Sequence, residues 1–379
     1  MTYLDNAAST PMLNEVKEFY IDAIDKLYAN PHAGHALSRK CLKAAEKARN
    51  QILKAANANQ QEYSVVFTSG GTEANNLALL GKKLKPGQEI ITCSAEHPSI
   101  INTVKEIEKN GVKVHFLPLN CDGSADIQNI AEFINSNTAL ISLNLLHNET
   151  GGILDMERLA DIIYGTEIHI HIDAVQAFGK VDIDIDGWGV DSMSIAGHKF
   201  HGPNSSGALI YQKTSAPETL IFGGGQQDGL RSGTLDAAAA ATLGKAAELN
   251  ASQKTKKIQS ISKLNKLCRE LLHSLSDKQN QAIELEIISS PKASPYILLV
   301  NFKNMQGAIL MRSLSALNVI VGTGSACSAD SKVISPALKS LGLNDQSGFG
   351  VLRISFGWQN TEEDVKNFIY RLQQIILDY

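Results

Sequence analysis

A lysine and an aspartate stand where they could together hold an aldehyde cofactor that has a basic ring nitrogen. Lys199 lies beside His198 in the run S-I-A-G-H-K-F-H-G-P, residues 194–203. Asp173 ends the run I-H-I-H-I-D, residues 168–173, whose alternation predicts a strand with a carboxylate at its C-terminal end. A lysine amine can form a Schiff base, and a buried carboxylate needs a cationic partner such as a pyridinium. The pattern indicates pyridoxal phosphate; the open alternatives are a solvated surface lysine and an aspartate that caps a helix.

A third segment, residues 67–76, could bind the phosphate of this cofactor. It reads F-T-S-G-G-T-E-A-N-N and places Gly70, Gly71 and Thr72 between a β-rich run and an apolar-periodic helix. A helix that begins at such a turn directs backbone N–H groups and a hydroxyl at an anion. The segment is neither a Walker loop nor the G-x-G-x-x-G of dinucleotide sites. The open alternative is a plain strand-to-helix turn with Thr72 as the N-cap.

Ordered motifs along almost the whole chain carry a resemblance to a known family. The motifs, each with its first residue number, are Y-L-D-N-A-A-S-T-P (3), N-P (30) with His35, F-T-S-G-G-T-E-A-N-N (67), E-H-P-S (96), H-N-E-T-G (147), D-A-V-Q-A-F-G-K (173), G-H-K-F-H-G-P (197), G-G-G-Q-Q-D-G-L-R-S-G-T (223), G-S-A-C-S (324) and R-I-S-F-G (353). The chain resembles a cysteine desulfurase of the nitrogen-fixation and iron-sulfur-assembly type. These enzymes are class V aminotransferases among the fold-type I pyridoxal phosphate enzymes.

The resemblance implies roles for four residues around the cofactor ring. Lys199 would carry the cofactor as a Schiff base, and Asp173 would pair with the pyridine nitrogen. Gln176 would form a hydrogen bond with the ring hydroxyl oxygen, and His97 would stack on the face of the ring. A lone histidine is usually structural, so only its place in the motif series supports the role of His97.

The resemblance also implies how the phosphate and the substrate are bound. The residues that would hold the phosphate within one subunit are Gly71, Thr72 and His198. Thr234 would reach across a homodimer interface to the cofactor of the neighbouring subunit. Asn148 would contact both cofactor and substrate, and Arg353 would bind the carboxylate of L-cysteine in a planar two-pronged pair.

Cys327 is the candidate acceptor of the substrate's sulfur. It lies in the Gly/Ser-rich run G-T-G-S-A-C-S-A-D, residues 322–330, which lacks an apolar period and predicts an exposed, mobile loop. A thiolate there could attack the substrate's sulfur and carry the resulting persulfide to an acceptor. An incidental surface thiol is the open alternative. Cys41 and Cys93 are predicted to be core residues, and neither Cys121 nor Cys268 belongs to a motif.

The activity implied by the resemblance is conversion of L-cysteine to L-alanine. Lys199 would remove the α-proton, and His97 would handle a proton on the substrate thiol. The sulfur would pass from Cys327 to an acceptor protein for iron-sulfur assembly, tRNA thiolation or DNA sulfur modification. The alternatives are a selenocysteine lyase, a cysteine sulfinate desulfinase or an aminotransferase of the same family, and a noncatalytic scaffold that binds a sulfur-transfer partner.

Three departures from the family pattern indicate a specialised paralogue. Ala196 stands where the pattern S-x-S-[AG]-H-K has a second serine, so one phosphate hydrogen bond is missing or is supplied by Ser194 or a water. Residues 204–207 read N-S-S-G in place of K-G-x-G. His32 and Ala33 occupy the places of two small hydroxyl residues near the substrate entrance. DNA sulfur modification is one candidate for a dedicated pathway.

Composition limits the classes of protein to which the chain can belong. Its 379 residues, 43% of them hydrophobic, can bury a large core, and a net charge of -4 without a basic run gives no electrostatic footprint for nucleic acid. No segment approaches the about 20 apolar residues of a membrane span, and the N-terminus lacks a signal-peptide pattern. The five cysteines lack the spacing of a disulfide framework. We expect a cytoplasmic protein that binds neither membrane nor nucleic acid directly.

The order of elements predicts an α/β fold with two domains. Seven β-rich runs alternate with helical segments, near residues 65, 90, 114, 139, 168, 192 and 208, which is typical of a mostly parallel sheet flanked by helices. Residues 12–250 would form this large cofactor domain. Residues 1–11 and 251–379 would form a smaller α+β domain with two paired strands, residues 283–289 and 296–302, and a closing amphipathic helix. The substrate site would lie between the domains.

Overall fold

The computed structural model describes residues 1–278, 284–324 and 334–377. These residues form two β-sheets with flanking helices. The strands are β1 (Thr2–Leu4), β2 (Tyr63–Thr68), β3 (Glu89–Cys93), β4 (Lys113–Leu117), β5 (Thr138–Asn144), β6 (His169–Asp173), β7 (Ser192–Ala196), β8 (Gly207–Gln212), β9 (Leu285–Ile287), β10 (Ile297–Phe302), β11 (Val319–Thr323) and β12 (Val351–Ser355). The α-helices are α1 (Asn14–Lys26), α2 (Ala36–Ala55), α3 (Gly71–Leu80), α4 (Pro98–Glu108), α5 (Met156–Ile163), α6 (Ala237–Lys278), α7 (Gly307–Ala316), α8 (Pro336–Ser340) and α9 (Glu362–Leu377).

The larger sheet confirms the predicted α/β fold. Among the described residues it has seven strands in the order β2-β8-β7-β6-β5-β3-β4. The pairs between β7 and β4 are parallel, whereas β8 is antiparallel to both β7 and β2. Every residue of β3, β6 and β7 is buried, as expected for central strands covered on both faces. All seven predicted β-rich runs fall on these strands.

The smaller sheet joins the two ends of the chain. In the part of the chain that the structure describes, it has five strands in the order β1-β11-β12-β10-β9. Strand β1 pairs in parallel with β11, and β12 is antiparallel to both β11 and β10. Strand β9 pairs with β10 as predicted. The N-terminal residues therefore belong to the same sheet as the strand that carries Arg353.

Helix α6 connects the cores of the two sheets. Leu243 and Ala247, in its first half, pack into the core of the larger sheet. Leu264 and Leu272, in its second half, pack into the core of the smaller sheet. The helix continues through residue 250 without a break, so the domain boundaries 12–250 and 1–11 with 251–379 stay a prediction.

The parallel strands bring the candidate residues to one edge of the larger sheet. Asp173 is the last residue of β6, and Ala196, the last residue of β7, leads into a 3-10 turn at Gly197–Lys199. His97 follows β3 as the N-cap residue of α4, which begins with Pro98 at its first position. The carboxyl ends of parallel strands share one edge, the usual place for ligands in open α/β sheets.

Candidate active site

The N-terminal segment holds the amine of Lys199. Its Nζ donates hydrogen bonds to the carbonyl oxygens of Ala7, at 2.6 Å, and Ala8, at 2.9 Å. The carbonyl oxygen of the preceding residue, His198, accepts from the backbone N–H of Thr10 at 2.7 Å and from its hydroxyl at 2.8 Å. The segment that follows β1 therefore fixes the lysine from the side of the smaller sheet.

Gln176 converges on the same carbonyl group. Its Nε2 donates to the carbonyl oxygen of Ala7 at 3.0 Å, and its Oε1 accepts from the buried Nζ of Lys180. Burial lowers the pKa of Lys180, and the nearby charge of Lys199 lowers it further. Because Gln176 and Lys199 share one acceptor, the structure brings these two predicted residues together.

The Asp173 carboxylate is buried and held by two donors. Its Oδ1 accepts from the backbone N–H of Val175 at 2.9 Å, and its Oδ2 accepts from Nδ2 of Asn75 at 2.7 Å. The ion pairs formed among the described residues do not include Asp173. A buried carboxylate in this environment suits a cationic ligand, because burying a charge without a cationic partner is unfavourable.

The predicted phosphate turn packs against the ends of β6 and β7. Gly70 has a φ of +154°, a conformation that side-chain-bearing residues rarely adopt, and Gly71 begins α3. A Cβ on Gly71 would lie 2.5 Å from Cγ2 of Val175 and 3.5 Å from Cβ of Ala196. Thr72 is exposed at the next position. The first N–H groups of a helix have no partner within it, so this close-packed turn can offer them to an anion.

Serine at position 196 is expected to strengthen phosphate binding. Because Ala196 lies next to Gly71, the hydroxyl in Ala196→Ser can reach the turn, and we expect cofactor affinity to rise about tenfold, the gain from one hydrogen bond to a charged group. Fluorescence titration of the cofactor-free protein measures this.

The companion variant is Ser194→Ala. The hydroxyl of Ser194 is buried and lies 3.5 Å from Nε2 of His171. We predict that it does not replace the missing serine and that the affinity of Ser194→Ala stays within about twofold of the wild-type value. A tenfold loss in Ser194→Ala with no gain in Ala196→Ser would show the opposite assignment.

His97 and His198 flank the lysine as neutral rings. Burial lowers the pKa of His97; the charge of Asp173 opposes this shift, and that of Lys199 adds to it. Nδ1 of His97 accepts from the backbone N–H of Ser99 at 3.1 Å. Burial also lowers the pKa of His198 to about 4, with further lowering by Lys199 and Lys180. Both rings are therefore uncharged near neutral pH.

Arg353 is buried in β12, where it links the smaller sheet to the loop after β5. Its Nη2 contacts Oδ1 of Asp5 at 2.9 Å, and its Nη1 donates to the carbonyl oxygen of Asn148 at 3.1 Å. Its Nε is buried and makes no hydrogen bond within the described residues. Arg353 and Asn148 are thus brought together, and the guanidinium keeps donor capacity for a carboxylate.

A second buried carboxyl group lies beside Asn148. Burial raises the pKa of Glu149 to about 7, while the hydroxyl of Ser335, which donates to its Oε2 at 2.6 Å, and the charge of Arg353 lower it. A Cβ on Gly324 would lie 3.4 Å from the same oxygen. Glu149 therefore lies close to both Ser335 and Gly324.

Several predicted residues are not joined to the site by the described contacts. Cys327 lies outside the described residues. Thr234 is exposed in the single chain, and His32 and Ala33 are exposed as well. Cys41 and Cys93 are buried, as the sequence predicts. The roles of Cys327 and Thr234 stay predictions.

The altered turn before β8 has a specific backbone consequence. Ser205, which stands where the family pattern has a glycine, adopts a φ of +52°. This left-handed conformation suits glycine better than serine. Gly207, two residues later, is retained, and a Cβ there would lie 2.6 Å from the backbone carbonyl carbon of Gly70. The glycine that packs against the phosphate turn is thus kept, while the exposed one is replaced.

Sequence reasoning missed Asn75 and the carbonyl groups of Ala7 and Ala8. Asn75 lies inside the quoted run F-T-S-G-G-T-E-A-N-N, and both alanines lie inside Y-L-D-N-A-A-S-T-P, so the motifs were the available signal. Their roles depend on contacts with Asp173 and Lys199, which are distant in the sequence. Every residue also has a backbone carbonyl, so the residue type does not indicate which carbonyl makes a contact.

Two further properties concern the described part of the chain. Its helices include none that is both long and apolar enough to cross a membrane. Its histidine, cysteine, aspartate and glutamate side chains form no group of three or more that could hold a metal ion.

Comparison with known proteins places the site in a family context. Residues 2–368 match the family described as Aminotransferase class-V. A curated relative, Cysteine desulfurase IscS of Clostridium botulinum (strain Kyoto / Type A2), is 35% identical over 385 residues, covering 99% of this chain and 94% of the relative. A solved NifS-like protein has a TM-score of 0.90 and 29% identity, with full coverage of both chains. The structure of SspA in complex with cysteine has a TM-score of 0.81 and 31% identity, covering 94% of this chain and 99% of SspA.

Proposed function

Because the chain belongs to the class V aminotransferase family, among its cysteine desulfurases, we propose that the site around Lys199 uses pyridoxal phosphate to convert L-cysteine to L-alanine. One observation carries the proposal: the Lys199 amine and the Gln176 amide meet at one carbonyl, at the same sheet edge as the buried Asp173 carboxylate. An amine, an amide and a carboxylate so arranged fit an aldehyde, a ring hydroxyl and a ring nitrogen.

The residues present fit the cofactor. The close-packed turn at Gly71 and Thr72 would hold the phosphate with backbone N–H groups, assisted by the neutral ring of His198. Asp173 would hold a proton at the ring nitrogen, and the ring of His97 would lie on the cofactor's face. When bound, pyridoxal phosphate supplies an aldehyde for the lysine and a ring that withdraws electrons from the substrate's α-carbon.

The chain's own groups would bind the substrate and move its protons. Lys199 Nζ would take the proton from the α-carbon of L-cysteine, and His97 would exchange a proton with the substrate thiol. Arg353, whose guanidinium contacts the carbonyl oxygen of Asn148, would bind the carboxylate. The backbone carbonyls of Ala7 and Ala8 keep the amine oriented at this edge.

Arg353→Lys is expected to weaken cysteine binding more than turnover. Lysine keeps one positive charge for Asp5 but loses the planar fork, so we expect KM to rise about 10- to 100-fold, the equivalent of one charge-assisted hydrogen bond. Steady-state kinetics of alanine formation measure KM and kcat separately. Arg371→Lys, which changes a half-buried arginine on α9, is the matched control. An unchanged KM in Arg353→Lys would contradict this role.

Transfer of the sulfur completes the proposal. The Cys327 thiolate would form an S–S bond to the substrate's sulfur while the C–S bond breaks, and the electron pair of that bond would stay with the carbon skeleton. A homodimer in which Thr234 reaches the second subunit's cofactor, an acceptor protein for the persulfide and a cytoplasmic location belong to the same proposal. Iron-sulfur assembly, tRNA thiolation and DNA sulfur modification stay open as destinations.

A substrate comparison tests the function. The protein is supplied with pyridoxal phosphate and, in separate reactions, with cysteine, selenocysteine, cysteine sulfinate, or an amino acid with a keto-acid acceptor. With a thiol reductant present to release the persulfide sulfur as sulfide, we expect cysteine to give alanine and sulfide in equal amounts, and faster than the other substrates react. Amino-group transfer to the keto acid would indicate an aminotransferase. Absence of alanine in every reaction would indicate the noncatalytic scaffold.

A further inference from the structure

Asn75 of α3 ties the Asp173 carboxylate to a chain of buried polar groups. Its Nδ2 donates to Oδ2 of Asp173 at 2.7 Å and to the hydroxyl oxygen of Ser99 at 2.9 Å. The side chain is 1% exposed. A carboxylate in this pairing accepts, so the amide nitrogen must face Asp173 and the amide oxygen must face the other way. The orientation of the Asn75 amide is thereby fixed.

The amide oxygen fixes the tautomer of His171. Oδ1 of Asn75 lies 3.2 Å from Nε2 of His171, which must carry a proton in order to donate. Burial lowers the pKa of His171 to about 3, so the ring is neutral and its Nδ1 is an acceptor. The Ser192 hydroxyl, 3.0 Å from that Nδ1, must then donate to it. The hydroxyl of Ser194 lies 3.5 Å from Nε2, at the limit of hydrogen bonding.

The contacts of His169, at the other end of these hydrogen-bonded groups, independently require the same direction of donation. Nζ of Lys82 lies 3.2 Å from Nδ1 of His169, and an ammonium can only donate, so that nitrogen accepts. The proton of the neutral ring is then on Nε2, which donates to the Ser192 hydroxyl oxygen at 3.1 Å. Asp191 lies 3.7 Å from the same Nδ1, beyond hydrogen-bond distance. Ser192 accepts on one side and donates on the other.

The Lys82 ammonium can only donate, and the Asp173 carboxylate accepts. All hydrogen bonds between these two groups must therefore run in one direction, from Lys82 to Asp173. The buried polar chain consists of His169, Ser192, His171 and Asn75, and the half-buried Lys82 donates to its far end. We propose that Asn75 is a positioning residue that orients the Asp173 carboxylate, and that the rest of the buried polar chain locks the Asn75 amide. The proposal rests on the proposed function, in which Asp173 faces the cofactor's ring nitrogen.

The Asn75 amide is also linked, through Ser99, to the ring of His97. Because Ser99 accepts from Asn75, its own hydroxyl proton is available for Nδ1 of His97, 2.8 Å away. The backbone N–H of Ser99 donates to that nitrogen as well. The proton of the resting His97 ring is therefore on Nε2, where it can donate a hydrogen bond.

The first test compares two cofactors in the protein as it exists. One is pyridoxal phosphate, and the other is the analogue in which carbon replaces the ring nitrogen, so that Asp173 has no partner. In Asn75→Leu we expect affinity for pyridoxal phosphate to fall about tenfold and affinity for the analogue to stay within about twofold. Equal weakening for both ligands would show a merely structural role, and no change for either would overturn the proposal.

A matched pair at position 171 separates the locking function from packing. Glutamine can donate from the place of Nε2, whereas leucine cannot, so His171→Gln should keep the preference for pyridoxal phosphate and His171→Leu should lose most of it. This pair carries the test if Asn75→Leu fails to fold. Equal behaviour of the two variants would overturn the role of His171.

Nitrogen NMR of the cofactor-free protein, labelled at histidine, tests the direction of the chain without any activity. We expect His169 and His171 each to show a single tautomer protonated at Nε2, constant from about pH 6 to pH 8, across the ordinary pKa of histidine. A proton on Nδ1 of either ring would contradict the proposed direction of hydrogen bonds in the buried polar chain. If these results hold but cysteine yields no alanine, the proposed function fails and the positioning of Asp173 stands. If the wild-type protein does not prefer pyridoxal phosphate to the analogue, the assignment of Asp173 fails instead.

Discussion

Lys199→Ala is expected to abolish both alanine formation from cysteine and the visible absorbance that pyridoxal phosphate gains when a lysine amine captures it. In the proposed mechanism, removal of the amine takes away the group that binds the aldehyde and the base that accepts the α-proton. Loss of a positioned acid-base group alone costs about 10²- to 10⁴-fold in rate. Absorbance during cofactor titration and an alanine assay measure the two losses separately.

Two controls separate this chemistry from folding. Lys199→Arg keeps a cation that can donate to the carbonyls of Ala7 and Ala8 but cannot form the covalent bond, so it should fold and remain inactive. Lys213 is the matched control, because its Nζ also donates to two backbone carbonyls, those of Gln60 and Gln61, away from the site. Lys213→Ala should keep full activity. An active Lys199→Ala enzyme with normal absorbance would contradict the assignment.

Cys327→Ser is expected to separate cofactor binding from sulfur transfer. The variant should keep the visible absorbance, because Lys199 and Asp173 are unchanged. Release of sulfur should fall at least about 100-fold, because a serine hydroxyl is a far weaker nucleophile than a thiolate. Cys121→Ser, which changes an exposed cysteine among the described residues, is the control and should retain full activity. Full sulfur release by Cys327→Ser from free cysteine would remove Cys327 from the mechanism.

The parts of the fold and site that depend on local pattern could be predicted from the sequence. Alternation in residues 168–173 indicates a strand that ends in Asp173, and the apolar runs of the parallel strands place their carboxyl ends at one edge. The Gly-Gly turn before α3 follows from the conformational freedom of glycine. The sequence could therefore predict that Asp173, Lys199 and the turn at Gly71 belong to one site.

The parts that depend on contacts between distant elements could not be predicted. The amide of Asn75 acquires its role from β6 and α4 together, and the carbonyls of Ala7 and Ala8 acquire theirs from a 3-10 turn about 190 residues away in the sequence. The hydroxyl of Ser194 illustrates the same limit. The family pattern left this hydroxyl available to the phosphate, whereas the structure places it 3.5 Å from Nε2 of His171. Packing across the sheet determines which groups a buried polar side chain contacts.

The three departures from the family pattern differ in their burial and in their distance from the predicted phosphate turn. The replacement of glycine by Ser205 affects one exposed residue with a positive φ. His32 and Ala33 are exposed. Ala196, by contrast, is fully buried next to the phosphate turn. A difference in cofactor affinity is therefore expected to come from Ala196 rather than from the altered turn.

The decisive measurement is mass spectrometry of the peptide that contains Cys327, after the protein has reacted with pyridoxal phosphate and L-cysteine labelled at sulfur. A persulfide-forming cysteine desulfurase should show one labelled sulfur atom on that peptide, with an equal amount of alanine in the first turnover and no label in Lys199→Ala. Alanine formation without label on Cys327, or label on Cys121 in its place, would contradict the proposed route of the sulfur, and absence of alanine would contradict the activity itself.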